Sequence, residues 1–262
     1  ASAPRGYDPG ERPRAIQELN DILQGRSARS ADELLAELDK CGDTWLPAVL
    51  GDVRAFLRQK ALLTKPYHKR PSRKAFAFQW AKGSDGRKLK VIDQRLYDRA
   101  AREGFPANFF REASFDHVTF FCLPDKVDFC GSELHGCKFA VCRIGGISFG
   151  YSRIYDTEFY SSVLSHVDMY EATLAHTRFH DCELSHLMVQ NATLKSCHTA
   201  DCTMDEVDYA GSTLDGCTFS RITAGTVCLD WTTITQGGAT EEECRQNRKD
   251  VYRALGVKGD AA

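Results

Sequence analysis

The stretch that decides the fold runs from residue 172 to residue 221. Divided every five residues, it reads ATLAH TRFHD CELSH LMVQN ATLKS CHTAD CTMDE VDYAG STLDG CTFSR. The third residue of each group is large and apolar except at Thr199, and the first is small or modest in size. Neither the 3.6-residue period of a helix nor the alternation of a simple strand keeps this register. The chain therefore contains an internal repeat of five residues.

The repeat extends well beyond this stretch. Counting by fives from Phe129 to Ile234 gives 22 consecutive positions, of which only Thr199 and Ala224 are poor core residues. Before them, Ala113 with Phe115 and Val118 with Phe120 continue the pattern one residue out of phase. The segment 122–126 is therefore predicted to absorb a register shift.

A second period of 20 residues is superimposed on the first. One set of positions 20 apart is aliphatic, and the next set is mostly aromatic: Leu134, Ile154, Leu174, Leu194, Leu214 and Ile234, then Phe139, Phe159, Phe179, Thr199 and Phe219. Like side chains would stack on like if four repeats formed one coil and coils were spaced by one strand distance, roughly 4.8 Å.

Repeats such as Ala172-Thr173-Leu174 and Ser212-Thr213-Leu214 resemble the motif of the pentapeptide-repeat family. The resemblance covers nearly half of the chain and implies an all-β solenoid, a right-handed quadrilateral β-helix. We expect three parts: a basic helical and β-hairpin module in residues 1–112, the pentapeptide-repeat β-helix in 113–236, and a C-terminal capping helix with its tail in 237–262.

The flanking parts show helical and hairpin patterns. Three helices are predicted before residue 64, one of them starting at a capping box, Ser30–Glu33. A hairpin is predicted around the turn at residues 83–86, followed by a short helix over 94–103 that ends at Gly104. At the other end, a capping box at 240–243 starts a helix that either covers the last coil or mediates a homodimer, as in some family members.

Charge is divided unevenly along the chain. Residues 113–234 carry 7 Lys and Arg against 16 Asp and Glu, whereas residues 1–112 carry 22 against 15. The strongest basic patch comprises Lys65, Lys69, Arg70, Arg73 and Lys74. Such a patch can bind nucleic acid or anionic lipid, but no nucleic-acid motif accompanies it. We favour a solvated loop that docks on the acidic solenoid, with direct nucleic-acid binding as the alternative.

Cysteine usage and hydropathy bear on the compartment. The 11 cysteines form no CxxC pair and no zinc-finger spacing, so they are read as buried or free thiols in a reducing compartment. No signal peptide or membrane-spanning stretch is visible in the sequence. The predicted localisation is cytoplasmic, or secreted into a host cell by a route that uses no such signal.

The sequence contains no nucleophile motif, phosphate loop or HExxH motif. We therefore predict no catalytic residue, no cofactor and no metal. One column of outward residues, His166, His186 and Glu206, with Asp205 beside it, has the residue types of a metal site. We favour a surface ladder that binds nothing, because outward positions of this fold are polar by default and a metal site needs further supporting groups.

Two sets of outward residues are candidate binding surfaces. The first is a belt of tyrosines predicted to bind a protein partner, because tyrosine is enriched at the centres of interfaces: Tyr151, Tyr155, Tyr160 and Tyr170. Ordinary aromatic packing on the sheet surface is the alternative. The second is an acidic surface whose spaced carboxylates resemble phosphates: Asp201, Asp205, Glu206, Asp208 and Asp215.

Three functions are compatible with these patterns. We favour a non-catalytic macromolecular-interaction protein, since the layout of helices and hairpin before the repeats resembles secreted effectors of Gram-negative pathogens that carry pentapeptide repeats. The alternative is a DNA mimic that binds gyrase or another topoisomerase, as quinolone-resistance members of the family do. A metal-dependent enzyme that works at the His166 column ranks last.

Overall fold

The computed structural model describes residues 76–121, 123, 127–140, 142–235 and 241–256, together with the isolated positions 28, 30 and 33. The chain divides into two compact units, Ala1–Thr64 and Lys65–Ala262, so the boundary predicted at residue 112 lies inside the second unit. In the first unit the Ser30 amide donates to Glu33 Oε2 at 2.8 Å, and the Glu33 amide donates to Ser30 Oγ at 3.2 Å. These bonds confirm the capping box at Ser30. The rest of the predicted N-terminal helices and the basic patch at 65–74 lie outside the described residues.

The repeats form a solenoid whose coils have four sides, numbered here as faces 1 to 4 in chain order. Leu134, Phe139, Ile144 and Phe149 point inward from the four faces in turn, and none is more than 1% exposed. Ile154 then pairs directly with Leu134 on the next coil. The prediction of four repeats per coil is confirmed.

Face 1 belongs to a nine-stranded sheet. Its first two strands are an antiparallel hairpin, β1 (Gln79–Lys82) and β2 (Lys88–Ile92), and β2 pairs in parallel with the first strand of the solenoid. The solenoid strands of face 1 are β3 (Ala113–Asp116), β5 (Glu133–His135), β8 (Arg153–Tyr155), β11 (Thr173–Ala175), β14 (Thr193–Lys195), β17 (Thr213–Asp215) and β21 (Thr233–Thr235). The hairpin therefore extends the solenoid instead of forming a separate structure.

Faces 2 and 3 are parallel sheets of six strands each. Face 2 consists of β4 (Thr119–Phe120), β6 (Lys138–Ala140), β9 (Glu158–Tyr160), β12 (Arg178–His180), β15 (His198–Ala200) and β18 (Thr218–Ser220). The face 3 sheet consists of β7 (Arg143–Gly145), β10 (Val163–Asp168), β13 (Glu183–Met188), β16 (Thr203–Asp208) and β19 (Thr223–Ala224), with β20 (Val227–Cys228) beside the end of β16. The three six-residue strands continue around the corner and supply the first residues of face 4.

The strand register confirms the predicted columns and the predicted shift. Leu174 pairs with Leu194, and Phe139 with Phe159, each 20 residues apart. In the first coil Phe115 pairs with Leu134, only 19 residues away. The one-residue difference is taken up between β4 and β6, where the change of phase predicts it.

Aromatic rings fill the column behind face 2. Phe120, Phe139, Phe159 and Phe179 lie in nearly parallel stacks, with centroid distances of 4.7, 4.5 and 4.8 Å between successive rings. Thr199 takes the next place in the column. The one-strand spacing of the coils sets this ring distance, so the column exists because like residues recur every 20 positions.

The small residues two positions before each large one also face inward, and many carry a hydrogen-bond donor. Ser162 Oγ donates to the Phe139 carbonyl at 3.2 Å, and Cys182 Sγ donates to the Phe159 carbonyl at 3.3 Å. In both cases the acceptor lies 23 residues earlier, on the preceding coil. Because buried carbonyls need partners, this geometry explains why Ser, Thr and Cys recur at these positions. The described cysteines are all free.

Aromatic residues close the N-terminal end of the solenoid. Helix α1 (Gln94–Glu103) begins at Asp93, whose side chain accepts from the Leu96 amide, and ends at Gly104 with φ of 107°. Beyond it, Phe110 lies 6.1 Å from Phe115 and 5.1 Å from Phe129, measured between ring centroids. The predicted short helix and the plug of phenylalanines on the first coil are confirmed.

Helix α2 (Glu241–Leu255) closes the C-terminal end. Asn247 Nδ2 donates to the Ile234 carbonyl and Arg248 Nη1 to the Thr232 carbonyl, both at 2.7 Å, and the Leu229 amide donates to the Tyr252 hydroxyl at 3.0 Å. The helix thus satisfies backbone groups that the last coil would otherwise leave without a neighbouring coil. The predicted capping role is confirmed, whereas the homodimer stays a prediction. Neither described helix is both long and apolar enough to span a membrane.

Candidate partner-binding surface

Face 4 differs from the other faces in its outward side chains. Its six segments contain five acidic residues and no Lys, Arg or His: Asp128–Gly131, Ser148–Tyr151, Asp168–Glu171, Met188–Asn191, Asp208–Gly211 and Cys228–Trp231. Face 2, by contrast, alternates in sign where Lys138, Glu158 and Arg178 stack, and Arg178 pairs with Glu158 at 3.0 Å. Face 4 is therefore the one side of the solenoid that is acidic along its length.

The first residue of each face 4 segment has a structural task. In three segments an aspartate Oδ1 accepts from the amide two residues later: Asp128 from Cys130 at 2.7 Å, Asp168 from Tyr170 at 2.8 Å, and Asp208 from Ala210 at 2.8 Å. Ser148 Oγ does the same for the Gly150 amide at 3.1 Å. Such local bonds hold the turn and explain why short polar residues occupy this column.

Met188 interrupts that column. It pairs with Asp168 on one side and Asp208 on the other, yet it has no polar atom able to accept from the amide two residues later. Its side chain is 49% exposed, so it does not serve the core either. A large apolar side chain here is explained neither by the turn nor by burial.

Two of the predicted tyrosines lie beside Met188 on face 4. Tyr151 is 51% exposed and meets the half-buried Tyr170 edge-to-face, with ring centroids 5.8 Å apart. The Glu171 carboxylate, followed by partial desolvation and the neighbouring phenol, raises the pKa of the Tyr151 phenol above its ordinary value. We call Tyr151, Tyr170 and Met188 the Tyr151 patch.

The other two predicted tyrosines do not join this patch. Tyr155 lies on face 1, where its ring stacks on His135 at 5.0 Å. Tyr160 was expected to point outward, but it lies on face 2 and is only 8% exposed. Its outward column also contains Phe121 and Ala140, which are buried as well, so packing covers this column over its first coils. The four tyrosines therefore do not form one belt.

The five predicted acidic residues are also spread over several sides. Asp201 lies at the corner after face 2, where Arg221, 20 residues later, binds it through two nitrogens at 2.5 and 2.6 Å and lowers its pKa. Asp215 lies on face 1 and accepts from Thr235 Oγ1 at 2.9 Å. Asp205, Glu206 and Asp208 lie closer together, at the corner between faces 3 and 4. Only this last group adds to the acidity of face 4.

Most acids of face 4 are not neutralised by the protein itself. Asp128 pairs with Arg111 at 2.9 Å. Within the described part of the chain, the other four form no ion pair: Asp168, Glu171, Asp208 and Asp230. A surface with uncompensated carboxylates around exposed aromatic and apolar groups can receive a partner that is both cationic and apolar.

The column of histidines does not have the geometry of a metal site. The His166 and His186 rings stack in parallel, 4.3 Å apart with an interplanar angle of 10°, and His186 Nε2 lies 2.5 Å from Glu206 Oε2. Parallel stacking does not direct the ring nitrogens of both histidines at a common point. Among the described residues, no three His, Cys, Asp or Glu side chains are grouped so that they could hold a metal ion.

Sequence reasoning missed two exposed residues of face 4, Met188 and Trp231, which is 87% exposed. A signal was available for both. Met188 stands in a column that otherwise reads Asp128, Ser148, Asp168 and Asp208, and Trp231 follows Gly211 by 20 residues. Comparing each outward residue with its column neighbours would have found them.

Comparison with known proteins bears on the repeats. A family model described as pentapeptide repeat region matches residues 132–209. Among solved structures, a trypsin-treated form of QnrB1, a plasmid-mediated fluoroquinolone resistance protein, aligns at 14% identity and TM-score 0.28, covering 59% of this chain and 96% of that one. Full-length QnrB1 aligns at 13% identity and TM-score 0.26, covering 62% and 94%. These TM-scores are too low to support a functional argument. No curated protein sequence matches the chain.

Proposed function

This chain belongs to the pentapeptide-repeat family, and from that premise we propose that it is a non-catalytic binding protein whose solenoid surface receives a protein partner. The observation that carries the proposal is the Tyr151 patch. Inward residues fix the fold, so outward residues are free to vary, and large exposed side chains that the fold does not require are candidates for binding.

The architecture favours this function physically. Every backbone group of a central coil is paired above and below, and both ends are closed by aromatic residues or by α2. The outer surface is therefore held rigid before a partner arrives. Binding to a rigid surface avoids the entropic cost of ordering flexible loops, which makes a modest set of contacts sufficient.

The test is a comparison of matched double variants. Tyr151→Ala with Tyr170→Ala removes the two rings of the patch, and His135→Ala with Tyr155→Ala removes a stacked pair on face 1. Immobilised wild type and both variants are used for capture, and bound proteins are quantified by mass spectrometry. We expect the face 4 variant alone to lose its partner, while circular dichroism shows both variants folded. Equal capture by all three proteins would contradict the proposal.

The second candidate is a DNA mimic that binds a topoisomerase. In its favour are the excess of 16 acidic over 7 basic residues in 113–234 and the lack of basic residues on face 4. Charge density argues against it. The four carboxylates without ion pairs are spread over five coil spacings, roughly 24 Å, whereas B-DNA carries one charge per about 1.7 Å.

A gyrase supercoiling assay separates the two candidates. A DNA mimic inhibits supercoiling, or protects gyrase from quinolones, at low micromolar protein. The proposed binding protein leaves gyrase unaffected. Inhibition that disappears when Asp205, Glu206 and Asp208 are changed to their amides would favour the mimic.

A further inference from the structure

We infer that face 4 binds a cationic, apolar protein segment, in which one apolar side chain contacts the Tyr151 patch and flanking Lys or Arg side chains reach the surrounding carboxylates. This inference rests on the proposed function and deepens it, because it names the face and the chemistry of the partner. It is argued from the column of Met188, from the backbone at Tyr151 and from the unpaired acids.

The apolar part of the segment is indicated by Met188. Its column favours a short polar residue, since Asp168, Asp208 and Ser148 each use a side-chain oxygen to hold the turn. Methionine forgoes that hydrogen bond and leaves nearly half of its side chain in water. A flexible thioether is well suited to contact an apolar side chain of a partner.

Tyr151 departs from its column in a second way. Its φ is 57°, in the left-handed region, and the same corner on other coils carries Gly131, Asn191 and Gly211. Glycine and asparagine adopt this conformation more readily than an aromatic residue does. The corner therefore offers no conformational reason for a tyrosine, and the ring is not needed for burial, since half of it is exposed.

The charged part of the segment is indicated by the carboxylates next to the patch. Asp168 and Asp208 are the strand partners of Met188, one coil below and one coil above it. Glu171 acts on the Tyr151 phenol directly, as its pKa shows. A partner that covers Met188 must therefore remove water from several carboxylates that have no cation of their own.

Desolvation decides what kind of partner can do this. A neutral or acidic segment would leave buried carboxylates without counter-ions, which is strongly unfavourable. A segment with Lys or Arg supplies those counter-ions, and a guanidinium can also stack on the Tyr151 or Tyr170 ring. Face 2 would receive the same segment poorly, because Lys138 and Arg178 would repel it.

The inference is tested with two synthetic peptides and the full chain. The probe is a fluorescein-labelled, 14-residue amphipathic peptide of Lys and Leu, and the comparison peptide has Glu in place of Lys. Binding is measured by fluorescence anisotropy at physiological ionic strength. We expect the Lys–Leu peptide to bind and the Glu–Leu peptide not to bind. Equal binding of both peptides, or of neither, would overturn the inference.

A variant of Met188 separates specific contact from general attraction between opposite charges. Met188→Asp restores the residue of the column and adds a negative charge. If attraction alone operated, affinity for the Lys–Leu peptide would rise. We expect it to fall about tenfold, because the apolar contact is lost. Unchanged or tighter binding would refute the contact at Met188. Tyr155→Ala on face 1 is the matched control, and it should leave affinity unchanged.

Failure of the inference can be told apart from failure of the proposed function. A photo-crosslinking p-benzoylphenylalanine is placed at residue 151 and, separately, at residue 193 on face 1, and crosslinked segments are sequenced. A crosslinked segment rich in Lys and Arg from residue 151 supports the inference. A crosslink to an acidic or uncharged segment, or only from residue 193, overturns it and leaves the proposed function standing. No crosslink from either residue overturns both.

Discussion

The stacked column of phenylalanines makes a quantitative prediction about stability. Phe159 is fully buried, and its ring lies 4.5 Å from Phe139 and 4.8 Å from Phe179, nearly parallel to both. Removing a buried phenyl ring costs about 3–5 kcal/mol, and each aromatic pair adds about 0.5–1.5 kcal/mol beyond burial. With two stacked neighbours lost at once, we expect Phe159→Ala to lower the free energy of unfolding by about 5 kcal/mol.

Phe219 is the matched control for this substitution. It occupies the same column near the C-terminal end, but its ring is only partly buried, its strand partner is Thr199, and its one aromatic contact is Tyr209 at 6.3 Å. We expect Phe219→Ala to cost about 2 kcal/mol. Guanidinium unfolding followed by far-UV circular dichroism measures both variants. If Phe159→Ala cost no more than Phe219→Ala, the claim that stacking between coils holds the core would be refuted.

Three further predictions concern the hairpin turn and the thiols. Glu133 is buried and accepts from the Ser84 amide at 2.7 Å, so Glu133→Ala should cost about 2 kcal/mol in guanidinium unfolding, and a cost near zero would contradict this role. The Arg87 amide, helped by the Arg87 and Arg153 side chains, lowers the pKa of Asp85 from 3.8 to about 2. Because the folded pKa is depressed, its stabilisation is complete above pH 4 and is lost as the pH falls towards 2; melting temperatures should show Asp85→Asn flattening that fall. Burial raises the pKa of Cys137 to about 12, so iodoacetamide at pH 8 should label this thiol only after unfolding, as judged by peptide mass spectrometry, and rapid labelling of folded protein would contradict the burial.

The interior of the solenoid could be predicted almost residue by residue. A five-residue period determines which side chains point inward, and a 20-residue period determines which of them stack, so the pairs Leu174–Leu194 and Phe139–Phe159 followed from counting alone. The register shift before Phe129 was visible for the same reason. The rule worked because one geometry is repeated, and each coil supplies independent support for the others.

Contacts that depend on no period could not be predicted. The pairing of β2 with β3 joins a hairpin to the solenoid through Lys90 and Ala113, 23 residues apart, and no repeat connects them. Tyr160 was assigned outward by its place in the repeat, but packing outside the column buries it. In both cases, the deciding neighbours come from chain segments that do not share the repeat.

The candidate site shows how the repeat itself can separate structural from functional residues. A residue that matches its column needs no further explanation, as Asp168 and Asp208 show by holding the same turn. A mismatch inside the core, such as Thr199 among phenylalanines, changes only packing, because it is 6% exposed and no partner can reach it. A mismatch on the outside, such as Met188, changes only what solvent or a partner meets. Since the fold gains nothing from exposing that side chain, selection for binding is the remaining physical reason to keep it there, and the opposite effects that general charge attraction and specific contact predict for Met188→Asp put this reasoning at risk.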